Sequence, residues 1–296
     1  MRPLNGVDES TPRRTFPAAE LERLLRARVR QRERIESGGY GRVNAHWRVE
    51  LDDGRSVFVK HALTPEAEAW LRTEQLVYEH VRGSFMPGYF GGSDDLIVLE
   101  DLTQADWPPP WTRERVEVVL AALAELRRAR LPPGLPRLAD LREVLLGWPA
   151  VAGDREPLLS TGACSREWLE DALPRLLQAT AEVELDGDDL LHLDVRSDNL
   201  CFRDGAAVLV DWNHASAGNG LFDVAFWLPS LRLEHGPEPW EVLPDAGPLA
   251  AAVAGFFAAR AGLPPPPGAP MVREFQLRQL EVALHWAARE LGQAPP

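Results

Sequence analysis

Apolar residues recur at helical spacing from Ala18 to Arg30, where Leu21, Leu24, Leu25 and Val29 are separated by charges. That period predicts an amphipathic helix. The pattern then becomes alternation. Trp47-Arg48-Val49-Glu50-Leu51 and Ser56-Val57-Phe58-Val59-Lys60 set apolar against polar positions on either side of Asp52-Asp53-Gly54-Arg55, which predicts two strands joined in a hairpin. Thr64-Pro65-Glu66 opens a second helix through Trp70, Leu71 and Val77 to about Val81, with Thr64 as its cap and Pro65 in its first turn. Leu96-Ile97-Val98-Leu99 predicts a short buried strand. Trp107-Pro108-Pro109-Pro110-Trp111 breaks regular structure and marks a connection. Beyond it helical periods cover about 112–130, 164–183, 249–261 and 271–292, and in the last Leu280, Leu284, Ala287 and Leu291 line one face. Pro264 to Pro267 forms a rigid linker between the final two helices. The chain is thus expected to divide into a sheet-bearing part, 1–101, and a larger helical part, 102–296.

Composition narrows the class. A 296-residue chain that is 45% apolar and 26% charged can bury a sizeable core without disulfides or a structural metal. Its two cysteines, Cys164 and Cys201, supply neither a disulfide framework nor a zinc cluster and are read as reduced thiols. No leader-like apolar run opens the chain and no uncharged stretch approaches membrane-spanning length, so a cytoplasmic protein without a membrane partner is expected. The net charge of −13 argues against a nucleic-acid partner, which needs a basic surface. An acidic surface attracts cationic ligands, although solubility alone also accounts for it.

The chemistry concentrates in His192-Leu193-Asp194-Val195-Arg196-Ser197-Asp198-Asn199-Leu200-Cys201-Phe202, followed by Val208-Leu209-Val210-Asp211-Trp212. A polar run between apolar pieces, then a second apolar strand ending on a lone carboxylate, predicts a loop and hairpin that bring Asp194, Asn199 and Asp211 together. Phosphoryl transfer demands little covalent chemistry of a protein, so positioning and charge neutralisation dominate. It needs a carboxylate to orient the attacking hydroxyl and hard oxygen ligands for Mg²⁺. Asp194 suits the first role, Asn199 and Asp211 the second. Arg196 stands where a cation could offset charge on the γ-phosphate. A polar turn with Asp198 and Asn199 capping backbone is the plainer alternative.

A second group lies upstream. Ile35-Glu36-Ser37-Gly38-Gly39-Tyr40-Gly41-Arg42-Val43-Asn44 places three glycines in a turn, expected between apolar strands, where backbone amides can approach phosphates. Lys60 closes the strand Val57-Phe58-Val59, which suggests a charged partner, an edge-strand lysine being the alternative. Glu74 in the following helix is placed to hold it, with Glu68 the competing choice.

Together these stretches resemble the protein-kinase-like fold and, within it, the aminoglycoside phosphotransferase (choline-kinase-like) family, from about Glu33 to Leu231. Ser37-Gly38-Gly39-Tyr40-Gly41 is similar to that family's phosphate-covering loop, Val59-Lys60 to its nucleotide lysine, and Leu99-Glu100-Asp101-Leu102 to the hinge that contacts the purine through backbone groups. His192-x-Asp194-x₄-Asn199 resembles the catalytic loop and Val210-Asp211-Trp212 the second metal ligand. The resemblance implies an α+β, two-lobed fold, with a small antiparallel-sheet N-lobe and a larger helical C-lobe. It places Ser37, Gly38, Gly39, Gly41, Lys60, Glu74, Glu100 and Leu102 around the nucleotide, Asp194 and Arg196 at the chemistry, and Asn199 and Asp211 on Mg²⁺. ATP or GTP would be the donor. The acceptor would be a hydroxyl-bearing small molecule such as an aminoglycoside, amino alcohol, nucleoside or sugar, and an antibiotic-modifying role would fit.

Two positions depart from the family, which most often has glycine where Leu193 stands and in many members histidine where Arg196 stands. His192 would brace the loop or, alternatively, act in acid–base chemistry. Asp223 resembles a buried carboxylate that braces the catalytic region. Trp227 and Trp240 with Glu234, Glu238, Glu241 and Asp245 form either an acceptor pocket or a solvated loop with core aromatics. A protein Ser/Thr kinase would need an activation segment, for which the span from Asp211 to Asp223 leaves little room. A scaffold that only binds nucleotide typically lacks the lysine, the base or a metal ligand, and all are present here.

Overall fold

The computed structural model describes residues 15–35, 43–266 and 269–296. Helix α1 (Ala18–Leu25) precedes three antiparallel strands, β1 (Val29–Ile35), β2 (Asn44–Leu51) and β3 (Ser56–Ala62). Helix α2 (Pro65–His80), β4 (Tyr89–Ser93) and β5 (Leu96–Glu100) follow, and the sheet has the order β1-β2-β3-β5-β4. Alternation sorts its two faces. Val49, Leu51, Val57, Val59, Leu96 and Val98 pack with Leu21 and Leu25, so α1 covers one face. On the other, Lys60 lies opposite His46 and Phe58 opposite Arg48. Ala62, Ile97 and Leu99 join Leu71, Val77 and Tyr78 of α2 in the main core. Thr64 caps α2 by accepting from the Ala67 amide at 3.3 Å.

Two local expectations need correction. The first helix stops at Leu25, because Arg26 turns left-handed (φ 54°) and Val29 already begins β1, its amide bound by Glu22 at 2.9 Å. The strand leading into the glycine-rich segment is not apolar. Arg30 to Arg34 are all exposed on β1, a sheet edge where charge discourages further strand pairing.

The remainder is mainly helical: α3 (Arg113–Leu126), α4 (Arg142–Leu145), α5 (Trp148–Gly153), α6 (Glu156–Leu159) and α7 (Arg166–Ala181), then after four short strands α8 (Leu221–Leu233), α9 (Pro239–Val242), α10 (Gly247–Ala261) and α11 (Val272–Glu290). The strands are β6 (Asp189–Leu191), β7 (Leu200–Arg203), β8 (Ala206–Leu209) and β9 (Ser216–Gly218), paired β6 with β9 and β7 with β8. The β7–β8 turn at Asp204-Gly205 has φ of 51° and 80°, the left-handed pair that a tight hairpin requires. Helix α10 is buried on nearly every side, and Gly255 lets Trp148 lie against its backbone, with Trp148 Nε1 donating to Ala251 O at 2.7 Å. Helix α8 went unread in the sequence because Phe222, Val224, Ala225, Trp227, Leu228 and Leu231 bury all its sides and leave no period. Among the described residues no helix is long and apolar enough to cross a membrane.

Candidate active site

The loop between β6 and β7 is held from behind by α8. Asp223 accepts from the His192 amide at 2.8 Å and the Leu193 amide at 2.7 Å. Leu193 is left-handed (φ 61°), a conformation glycine adopts without strain, so the two hydrogen bonds hold a backbone that leucine disfavours. Burial pushes the Asp223 carboxyl up to about 7, although both amides pull the other way. His192 is fully buried and uses both ring nitrogens on backbone: Nε2 donates to Val210 O at 2.8 Å and Nδ1 accepts from the Asp194 amide at 3.2 Å. Burial lowers its pKa, and the two hydrogen bonds select the tautomer with its proton on Nε2. His192 is therefore placed as a brace.

That brace fixes the backbone at Asp194. Asn199 Nδ2 donates to both Asp194 Oδ2 (2.8 Å) and Asp194 O (2.9 Å), while Asn199 O accepts from the Val210 amide at 2.9 Å, tying loop to hairpin. Asp194 Oδ1 lies 3.4 Å from Arg196 Nε, and Arg196 Nη2 reaches Asp198 Oδ2 at 3.1 Å. Arg196 thus sits between two carboxylates, those of Asp194 and Asp198.

Lys60 comes from the sheet to meet this group. Its ammonium donates at 2.7 Å both to Glu74 Oε2 and to Asp211 Oδ1, joining the lobes through a lysine only 5% exposed. Glu74, not Glu68, is the partner on α2, and Tyr78 Oη, one turn on, donates to its other oxygen at 3.2 Å. Burial works to lower the Lys60 pKa, but Asp211 and Glu74 overcome it and hold the lysine above its ordinary value. Asp211 is drawn down to about 2 against its own burial, chiefly by Lys60. Its backbone is left-handed (φ 67°), which turns the chain sharply after β8. His46 faces the same group, and burial together with Lys60 lowers it to about 4, so the imidazole is neutral.

At the hinge the Glu100 carboxylate is engaged by Arg203 of β7 and by the Gly88 amide. Both lone pairs of Leu102 O are taken, by Ala105 N and Trp107 Nε1, each at 3.0 Å. Leu102 packs in an apolar patch with Cys201 and Val208. Asp101 locks the turn by accepting from Ser56 Oγ (2.5 Å), Arg48 Nε (2.8 Å) and the Thr103 amide (3.0 Å). Ser37, Gly38, Gly39 and Gly41 lie outside the described residues.

No protein-family model matches the sequence, and no curated protein aligns with it. Solved structures do match. A candidate fructosamine-3-kinase from Thermobifida fusca YX-ER1 superposes with a TM-score of 0.57 at 20% identity, over 90% of this chain and 98% of that one. A thermostable variant of aminoglycoside phosphotransferase APH(4)-Ia, in ternary complex with AMP-PNP and hygromycin B, gives 0.58 at 15% identity over 94% and 97%. A candidate fructosamine-3-kinase from Haemophilus somnus 129PT gives 0.53 at 15% identity over 93% and 95%.

The chain has the protein-kinase-like fold. Within that fold the side chains considered for an acceptor pocket are mostly spent on structure. Trp227 is fully buried, and Trp240 lies under the Arg289 guanidinium at 4.6 Å. Glu238 pairs with Arg232 at 2.9 Å and closes a capping box with Glu241 at the start of α9. Glu234 differs: its carboxylate accepts from Ser197 Oγ in the loop (2.5 Å) and from Trp111 Nε1 (2.7 Å). Trp111, Ser197, Tyr78 and His46 are the residues of this region that sequence reasoning missed. Tyr78 had a signal, since it follows Glu74 by one helical turn. Trp111 had none, because its meeting with Glu234 spans 123 residues.

Proposed function

We propose that this protein is a small-molecule kinase that transfers the γ-phosphoryl group of ATP or GTP to a substrate hydroxyl. The observation that carries the reading is the convergence of Lys60 from the sheet with Asp194, Asn199 and Asp211 from the helical part, linked through the bonds of Asn199 to Asp194 and of Lys60 to Asp211. Asp194, held by Asn199, orients the acceptor hydroxyl and takes its proton. Lys60, steadied by Glu74, binds α/β-phosphates, and Arg196 lies beside Asp194 to meet the γ-phosphate. The nucleotide sits between an N-terminal lobe, 1–101, and a catalytic lobe, 102–296, against residues 99–102.

The donor set suits Mg²⁺. Asn199 spends its NH₂ group on Asp194, which leaves Oδ1 as the amide's ligand atom, and Asp211 spends Oδ1 on Lys60, which leaves Oδ2. Among the described residues no three His, Cys, Asp or Glu side chains are gathered closely enough to cage a metal alone, so phosphate and water would complete the shell. The bound ion would neutralise charge on the β- and γ-oxygens.

Solved neighbours that hold AMP-PNP or ADP with hygromycin B support a nucleotide donor and a small-molecule acceptor. The net charge of −13 favours a cationic acceptor, and an antibiotic-modifying role in the cytoplasm follows from the same reading. The test is a mass-spectrometric screen with Mg²⁺, ATP or GTP, and pooled aminoglycosides, nucleoside antibiotics, amino alcohols and sugars. One compound is expected to gain a phosphoryl group with the wild type and not with Asp194→Ala. A gain that survives this substitution would remove Asp194 from the chemistry.

A further inference from the structure

Helix α8 touches the catalytic loop at two places, and only the first has a role so far. Asp223, in its first turn, holds the amides of His192 and Leu193. Glu234, which ends the helix, holds the hydroxyl of Ser197. These carboxylates are eleven residues apart, about three turns, so both lie on one face roughly 16 Å apart along the axis. Helix α8 thus holds the loop at both its ends.

The placement of Glu234 is costly in electrostatic terms. A carboxylate at a helix C-terminus faces the unpaired carbonyls and the negative end of the dipole, where a cation would be favoured. Two donors answer it. Ser197 Oγ donates to Oε1 at 2.5 Å, and Trp111 Nε1 donates to Oε2 at 2.7 Å. Trp111 is itself fixed edge-on against Trp227 of α8 at 5.4 Å and against Phe202 of β7 at 6.3 Å. The carboxylate therefore joins three separate segments: the loop two residues before Asn199, the connection after the hinge, and the end of α8.

We infer that Glu234 is a positioning residue which, through Ser197, fixes the C-terminal half of the catalytic loop and with it the spacing between Asp194 and Asn199. Its catalytic consequence rests on the kinase reading above, whereas the tether itself does not. Each oxygen of Glu234 accepts one of these hydrogen bonds, so its link to the loop runs through Ser197. A loop freed at this end would keep Asp194 anchored near His192 and leave Asn199 held by its own bonds to Asp194 and Val210. The spacing of Asp194 and Asn199 and the place of Arg196 would loosen, and displacements of about 1 Å can cost 10²-fold in rate.

The experiment uses the full chain as wild type, Ser197→Ala, Glu234→Ala, Glu234→Gln and the Ser197→Ala/Glu234→Ala double variant. Amide hydrogen exchange of residues 194–199 is measured alongside Mg²⁺-dependent hydrolysis of ATP and GTP, with water as acceptor. Exchange across 194–199 is expected to accelerate in Ser197→Ala and Glu234→Ala while the Asp223-held amides of His192 and Leu193 stay protected. Hydrolysis is expected to lose roughly 10- to 100-fold in kcat at unchanged nucleotide KM. The double variant should lose no more than either single one, and Glu234→Gln, whose amide oxygen still accepts one donor, should fall between. Unchanged exchange in Ser197→Ala and Glu234→Ala, or losses that multiply in the double variant, would overturn the inference. Should Glu234→Ala not fold, Ser197→Ala carries the test, since it removes one hydroxyl only. A wild type that hydrolyses neither nucleotide would sink the kinase reading, and the exchange data alone would then decide the tether.

Discussion

Asp194 and Asp211 belong to one cluster of side chains, yet their surroundings differ, and the kinase proposal gives them different tasks. Asp194 is held by an amide donor, whereas Asp211 is held by the Lys60 ammonium. Asp194→Asn is therefore expected to cut turnover by about 10²- to 10⁴-fold with nucleotide affinity intact. Asp211→Asn should instead weaken binding of the metal–nucleotide pair, as calorimetric titration would report. A wild-type rate in Asp194→Asn would end this division of roles. Asp223 gives a pH-dependent counterpart. Its carboxyl sits at about 7 in the fold because of burial, against about 3.9 in an unfolded chain, so the folded state binds the extra proton between those values. Its contribution to stability is therefore fully present below about pH 4 and is lost as pH rises through about 7, by up to about 4 kcal/mol. Asp223→Asn cannot titrate there. Urea unfolding of both proteins should show the wild type's margin over the variant shrinking from pH 4 to 8. A margin constant with pH would mean that Asp223 is ionised throughout.

Elements were legible in the sequence where a period survived, and α8 and β1, one uniformly buried and the other uniformly exposed, were not. The β2–β3 hairpin, α2 with its threonine cap, β5 and four of the long helices follow from alternation, capping and helical spacing. Helix α8 has no period because it is buried all round, and β1 has none because it is exposed all along its edge. The candidate site shows the same division. Asp194 and Asn199 stand in a polar run between apolar pieces and Asp211 just follows β8, which local pattern can detect, whereas Lys60, read as closing its strand or lying on an edge, is inside β3 at the centre of the sheet. The joint of Glu234, Ser197 and Trp111 assembles residues that the chain separates widely, and its acceptor belongs to the element that could not be read. Close helix approach also left little trace. A Cβ at Gly255 would meet the Trp148 ring at 2.6 and 2.8 Å, and that ring cannot swing away without breaking its bond to Ala251 O. Alanine at a helical glycine gains up to about 1 kcal/mol of propensity, but overpacking costs about 1–3 kcal/mol. Gly255→Ala should thus lower the urea midpoint, and a raised midpoint would show that α5 can shift away from α10.

Across the whole molecule, Lys60 carries two loads that substitution can separate. It is the ammonium expected to meet nucleotide phosphates, and it joins Glu74 in the sheet-bearing lobe to Asp211 in the helical one. Glu74 is 1% exposed, so removing the lysine strands its charge with only the Tyr78 hydroxyl for support. Breaking a buried pair in this way costs about 3–5 kcal/mol, while replacing both members by apolar groups is often neutral or better. Lys60→Met is accordingly expected to lose that much stability and its nucleotide affinity together. Lys60→Met/Glu74→Leu should recover most of the stability and none of the affinity, with denaturant midpoints and nucleotide titrations read on the same samples. A double variant as unstable as the single one would show that the buried Glu74 charge is not the source of the loss. The join between lobes would then rest on contacts such as Glu100 with Arg203 and the Leu209 amide with Phe85 O, and Arg203→Ala would test the first of them.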